Sequence, residues 1–284
     1  MTELMEYFRS PFVHRALLGI VLIAVNAALT GAFAAFRSAT FLISGAAHAA
    51  LAGAALALVI GGALVSDVYI ILGAAAFGVA LSLLAASNSG RSGWRGVDNA
   101  IGVGFAFSMA LAVLLISLIP QASSRVWGIL IGDLLLLSPT DLTVLTTMTV
   151  LVVVCFITSW RPFLFITFDT EGAQAFGLRA GLYNYLLFAL IGLSTSILLK
   201  GVGAIVVFAM LAAPAATAML FAASVRRTMV YAFLIAFGSG LIALVISAYL
   251  NFSVSALAAM LASGSYLLGR TIIYLRQRRP AHSL

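Results

Sequence analysis

Charge is what this 284-residue chain has least of. Asp, Glu, Lys and Arg together make up 8% of it, against 63% hydrophobic residues. A soluble globular domain carries roughly a quarter charged residues, so a water-dissolved domain is excluded. Lysine occurs once, at Lys200 in "LLKGVG", without the upstream glycine of the G-x-x-x-x-G-K-[ST] pattern that brings a lysine to phosphates. The chain is therefore not expected to hydrolyse ATP. Cysteine also occurs once, Cys155 in an apolar run, which excludes a disulfide framework and a cysteine metal cluster. Of the three histidines, His14 and His282 stand near the chain ends. That leaves His48 alone inside an apolar segment, too few for the paired ligands of an H-E-x-x-H metalloprotease. No acidic residue falls securely mid-span, whereas an ion-coupled carrier is expected to place carboxylates inside its helices. The alternating segments of an outer-membrane barrel, each of about 10 residues, are missing as well.

What the chain does have is length of apolar run. Stretches of about 20 apolar residues recur from Ala16 to Tyr274, each long enough to cross a bilayer as a helix, and the mean hydropathy is +1.18. The expectation is an all-α polytopic membrane protein, a single domain with about eight or nine transmembrane helices in one bundle and a short extra helix. The candidate spans are 15–36, 42–63, 68–87, 99–119, 141–160, 181–199, 203–223, 228–249 and 253–274. The stretch 123–140, "SSRVWGILIGDLLLLSPT", is punctuated and short, and reads as a half-helix or a helix lying at the surface. The first run is too long for a cleaved signal peptide and no small-residue cleavage site follows it.

Sidedness follows from the basic residues. With nine spans and an inside C-terminus, one side holds Arg37, Arg91, Arg95, Arg161, Arg179, Arg226, Arg227, Arg270, Arg276, Arg278 and Arg279. The other holds only Arg9, Arg15, Arg125 and Lys200. This bias puts 161–179 and the tail "RQRRP" in the cytoplasm. The net charge of +7 then needs no nucleic acid, because arginines beside anionic headgroups account for it.

The longest cytoplasmic segment is "WRPFLFITFDTEGAQAFGLRAGLYN", residues 160–184. Pro162 is expected to stop the preceding helix. Asp169 or Thr170 can cap a new one, Glu171 in its first turn suits the helix dipole, and Gly177 ends it at a C′ position. The result is one or two turns of helix with Ala173, Phe176 and Leu178 offering apolar contacts: a handle for a soluble partner, or a plain connecting loop.

Here the chain resembles a known family. "TFDTEGAQAFGL" is similar to the F-D-x-E-x-A-x-x-x-G-L segment of the membrane permeases of metal-uptake ABC importers, the zinc/manganese/iron (ABC-3) family. "GVGAIVVFAMLAAPAATAML", 201–220, resembles that family's G-V-G and P-A-A-T-A block. "GRSGWRGVDNAIGVGFAFSMALAVLLIS", 90–117, and "VWGILIGDLLLLSPTDL", 126–142, resemble two further family stretches. The likeness runs from about Leu18 to Leu268, with four motifs in the family's order. It implies a permease subunit in the plasma (inner) membrane of a prokaryote, acting as a homodimer or beside a related permease. Two ATP-binding subunits would bind the cytoplasmic face and hold the ATP. An extracytoplasmic binding protein would deliver the cargo, a divalent metal such as Zn²⁺ or Mn²⁺, with no permanently bound cofactor. Coupling to the ATPase would fall to Asp169, Glu171, Ala175, Gly177 and Leu178, and transport would proceed by alternating access.

The resemblance also gives His48 a context. The family's second helix carries G-D-A-L-S-H-A-A-L-P-G, whose Asp and His lie four residues apart on one helix face, about 5–6 Å from each other. Here the stretch is "SGAAHAALAG": His48 is kept, Ser44 stands where the Asp belongs and Ala52 where the Pro belongs. Losing the carboxylate removes a negative charge from a low-dielectric site. Two His48 rings in a dimer would still offer nitrogen donors, tilting preference from Mn²⁺ towards Zn²⁺; alternatively His48 only packs or hydrogen-bonds within the bundle, to Ser44. Gly45, Ala49 and Gly53 recur every four residues, the spacing that lets helix backbones approach.

Other polar residues carry weaker signals. Asp133 and Asp141 either draw cations towards an outer entrance or cap helices. Asp67 reads as the cap of the third span, and Asp98 as a salt-bridge or helix-start residue. Met210 and Met219 read as packing. Pro214 in "MLAAPAATA" removes a helix hydrogen bond and marks a kink or broken helix along the pathway. A permease for a chelated metal or another small cation complex stays open beside the free-ion reading, with a secondary ion-coupled carrier as the further alternative.

Overall fold

The structure is a computed structural model and describes residues 7, 9–62, 66–89, 93–118, 132–250 and 252–278. Among these it is all helical apart from turns and connections. Residues 123–131 of the expected half-helix lie outside the described set.

The long helices are α1 (Pro11–Phe36), α2 (Phe41–Gly61), α3 (Asp67–Asn88), α4 (Gly93–Ser117) and α5 (Pro139–Thr158). Two short helices follow, α6 (Trp160–Phe168) and α7 (Thr170–Ala175). The chain then returns through α8 (Ala180–Val202), α9 (Ala204–Phe221), α10 (Val225–Leu250) and α11 (Val254–Arg278). Among the described residues, eight helices are long and apolar enough to cross a membrane, and α9 carries a shorter apolar stretch, Val206–Phe221.

Local chemistry sets the ends. Ser10 accepts a hydrogen bond from the Val13 N–H and Pro11 opens α1, where a missing N–H costs nothing. α5 begins in a complete capping box: Ser138 Oγ accepts from the Asp141 N–H at 3.1 Å, and Asp141 Oδ2 accepts from the Ser138 N–H at 3.2 Å. Within α1 the residues Ala27–Gly31 form a π-turn, and a buried polar knot sits there. Asn26 Nδ2 donates to Thr149 Oγ1 of α5 at 2.9 Å, and Ser194 Oγ of α8 donates to Asn26 Oδ1 at 2.6 Å. In lipid such groups have no water to turn to, so they bond one another.

Burial sorts the bundle. α1, α2 and α8 are the inner helices, with 61%, 72% and 67% of their apolar windows buried, while α11 has 17%. α2 packs against α3, α4, α8 and α9. Its contact with α3 is the tightest: a Cβ built on Gly53 would lie 2.1 Å from the Gly73 carbonyl oxygen. Gly53→Ala therefore has to push the backbones apart, a loss of about 1–3 kcal/mol. Gly238 of α10, with nothing within 4 Å, should gain up to about 1 kcal/mol as alanine through helix propensity. Thermal unfolding of the two variants in detergent is expected to move in opposite directions.

At one end of the bundle an aromatic cluster ties α1, α5 and α6 together. Phe33 meets Phe156 at 5.2 Å, Trp160 at 5.9 Å and Phe163 at 6.3 Å between ring centroids. Ala35, Ala215, Ala218 and Ala232 form a small buried cluster at that end, so the arginine-bearing ends of α1, α6 and α10 gather on the same side as the C-terminal end of α9.

Pro162 behaves differently from expectation. α5 ends before Ser159, three residues ahead of the proline, and Pro162 sits in the first turn of α6, where its missing donor is harmless. It admits a helix rather than ending one.

Candidate functional site

α2 is buried without interruption from Leu42 to Ala55 except at His48, which is half-exposed. The ring points towards Phe105 of α4, edge-on at 4.6 Å between centroids. Phe41 continues the aromatic wall, 5.9 Å from Phe105 and 6.5 Å from Phe208 of α9. His48 Nδ1 lies 2.8 Å from the main-chain oxygen of Ser44. A carbonyl only accepts, so Nδ1 carries the proton, and in the neutral ring Nε2 keeps its lone pair. That is the tautomer of a metal-ligating histidine, whose second nitrogen donates to a carbonyl or carboxylate. The hydrogen bond uses Ser44's backbone, and Ser44 itself is buried.

No cluster of three or more His, Cys, Asp or Glu occurs among the described residues. One copy of the chain thus presents one nitrogen donor on this face, and a metal held here must complete its shell from elsewhere. From Phe208 an open cleft of about 400 Å³ continues along α9 and α11 to Thr40, lined by Ala209, Ala212, Ala216 and Tyr266 among others. Pro214 lies buried in the same helix. α9 stays helical from Ala204 to Phe221 with Pro214 inside it, so the helix is not broken there.

Asp133 and Asp141 are both engaged in turns. Asp133 Oδ1 accepts from the Leu135 N–H at 3.0 Å, capping a 3₁₀ turn at Leu134–Leu136, and Asp141 closes the capping box with Ser138.

At the arginine-rich end α7 is doubly capped. Asp169 Oδ1 accepts from the Gly172 N–H at 2.7 Å, and Glu171 occupies the first turn. At the other end Leu178 N–H donates to Ala173 O at 3.0 Å and Gly177 N–H to Gln174 O at 2.9 Å. These paired bonds form a Schellman motif, which requires the left-handed backbone of Gly177, φ +78°. Ala173 is fully buried and anchors the helix, whereas Ala175 and Gly177 are exposed and Phe176 is 81% exposed. Phe176 leans on Phe165 of α6 at 5.9 Å. A large aromatic is thus held out by a capped turn.

Residues 9–272 match the ABC 3 transport family. The chain belongs to the ABC-3 transport family. The match covers α1 to nearly the end of α11, and curated relatives extend over the same range. The manganese import system permease protein ScaB of Streptococcus parasanguinis is 32% identical over 275 residues, covering 96% of this chain and 94% of the relative. The manganese transport system membrane protein MntC of Halalkalibacterium halodurans is 33% identical over 209 residues, covering 74% of this chain and 69% of the relative. Among solved structures, PsaBC from Streptococcus pneumoniae in complex with Fab superposes with a TM-score of 0.81 at 24% identity, covering 97% of this chain and all of that one. That likeness establishes the ABC-3 fold.

Three features of this ABC-3 chain were not legible as single residues. α6 was hidden by Pro162. The Asn26 knot had no signal beyond an asparagine within the first apolar run. Arg37, one residue past the expected first span, read as a lipid anchor, yet it is 4% exposed.

Proposed function

We propose that the chain is the membrane-spanning permease subunit of an ATP-binding-cassette importer that carries a divalent transition metal, Mn²⁺ or Zn²⁺, inward. The family match across residues 9–272 carries this reading, and the relatives named for manganese transport support it. His48 is the residue that meets the cargo. Two permeases, identical or related, face each other so that two Nε2 donors flank one path. ATP is hydrolysed on separate subunits that grip α7, and an extracytoplasmic metal-binding protein loads the opposite end. The arginine-rich end and the C-terminus lie in the cytoplasm, a placement that the bias of basic residues supports. Closure of the ATP-binding subunits moves α7, and the bundle opens first outward and then inward.

Cells expressing the full importer under Mn²⁺ or Zn²⁺ limitation should accumulate the metal, and cells lacking this chain should not. Equal metal content in the two overturns the reading.

Ser44 bears on which metal. A carboxylate at this position would add a hard oxygen donor and a negative charge, both favouring Mn²⁺; nitrogen donors alone favour Zn²⁺. Ser44→Asp is therefore expected to raise the ratio of Mn²⁺ to Zn²⁺ accumulated several-fold, measured by elemental analysis of cells given both ions. The neutral Ser44 also favours a second reading, a permease for a chelated metal, in which uptake would require the chelator and the ratio would not respond.

A further inference from the structure

We propose that Arg37 is the positioning residue that carries movement of the α6–α7 segment into α2, the helix bearing His48; this rests on the importer reading above. Arg37 is the buried member of an otherwise exposed set. Arg161, Arg179, Arg226, Arg227, Arg270 and Arg276 all face outward at the same end, and among the described arginines only Arg37 is buried.

Its two terminal nitrogens hold two different elements. Nη1 donates to the Ile166 carbonyl oxygen, in the last turn of α6, at 2.6 Å, and Nη2 donates to Asn184 Oδ1 of α8. Asn184 passes the connection on: its Nδ2 donates to Ser89 Oγ at 2.9 Å and reaches the Ala86 carbonyl oxygen at 3.5 Å, at the end of α3. The guanidinium also lies 5.9 Å from the Phe188 ring centroid of α8. One side chain thus joins α6 to α8 and, through Asn184, to α3, and both α3 and α8 pack along α2.

Two physical features suit this contact to transmission. Carbonyls in the last turn of a helix lack intrahelical donors, and a cation there is favoured by the helix dipole. Arg37 shares this carbonyl with Thr170 Oγ1, which donates to it at 2.7 Å, so the contact takes in the first residue of α7 as well as the end of α6. The guanidinium is also a planar fork, so its two acceptors are fixed relative to each other in a way that a flexible ammonium does not enforce. The connection to α2 is short: Thr40 directly precedes the helix, and Ser38 is held in the left-handed region at φ +52°. A non-glycine residue there is strained, and the Ser38 and Ala39 N–H groups hold the turn by donating back to the Ala35 and Ala34 carbonyl oxygens at 3.0 and 2.8 Å. Displacement of α6 has to break the Ile166 bond or pull on the base of α2.

The test measures Mn²⁺ imported per ATP hydrolysed, in proteoliposomes holding the permease with its ATP-binding subunits and its binding protein. For Arg37→Gln, ATP hydrolysis should persist while the import ratio falls roughly tenfold, a typical coupling loss. Arg37→Lys keeps the charge but not the fork, and should also uncouple. Asn184→Ala, which changes no charge, should lower the ratio less, and it decides the matter if Arg37→Gln yields no assembled complex. A wild-type ratio in Arg37→Gln, or in Asn184→Ala where it must stand in, overturns the inference, as does full coupling in Arg37→Lys. If the wild-type assembly itself shows no ATP-dependent import, the importer reading fails first and this inference with it.

Discussion

Replacing His48 with alanine is expected to abolish metal accumulation while leaving the permease folded and assembled. The folding side of that expectation is bounded by what the ring touches. Its removal deletes one hydrogen bond to the Ser44 carbonyl and one edge-on contact with Phe105. Each is worth about 0.5–1.5 kcal/mol, too little to unfold a helix that is otherwise buried from Leu42 to Ala55. The transport side is larger. Even outer-shell partners of a metal site cost roughly 10- to 100-fold in affinity when removed, and here the donor itself goes, once in every copy of the chain. Uptake should therefore drop by more than about a hundredfold. His48→Gln keeps a polar side chain without an imidazole donor and should fail as well. Manganese and zinc content of cells carrying each variant, with membrane levels of the permease checked in parallel, measures this. Normal metal content in His48→Ala would remove the residue from the path.

The reach of sequence reasoning here followed the range of the interactions. Apolar run length is imposed by the bilayer and is visible in any window of the chain, which is why the all-α membrane architecture could be read directly. The caps of α7 are equally local: Asp169 acts on Gly172 and Gly177 on its own backbone, all within a few residues. Pro162 misled because the same residue ends one helix or begins another, and only the position of the preceding break at Ser159 distinguishes them. Arg37 misled for a different reason. Its partners Ile166 and Asn184 stand 129 and 147 positions away, so nothing near it in sequence separates a headgroup anchor from a buried fork. Asn26 is the same case, with Thr149 lying 123 positions off. For His48 the residue was conspicuous, but its tautomer and its aromatic wall required the placement of α4 and α9.

Phe176→Asp is expected to separate the permease from its ATP-binding subunits. The phenylalanine is 81% exposed, so its loss costs the isolated permease little beyond the contact with Phe165. An aromatic seated in a partner's pocket is worth about 2 kcal/mol or more, equivalent to roughly a 30-fold change in affinity. An aspartate adds the desolvation of a charge to that loss and repeats it in each copy of the permease. The expected result is loss of co-purifying ATP-binding subunits and of metal uptake, with the permease's own thermal unfolding unchanged. Gly177→Val tests presentation rather than contact. A β-branched residue at φ +78° is strained and undoes the Schellman turn, so Phe176 is retained but misdirected. If α7 is the grip, both variants fail in the same pull-down, although only one of them changes the aromatic side chain. If the ATP-binding subunits still co-purify with Phe176→Asp at wild-type levels, they hold the permease somewhere other than α7.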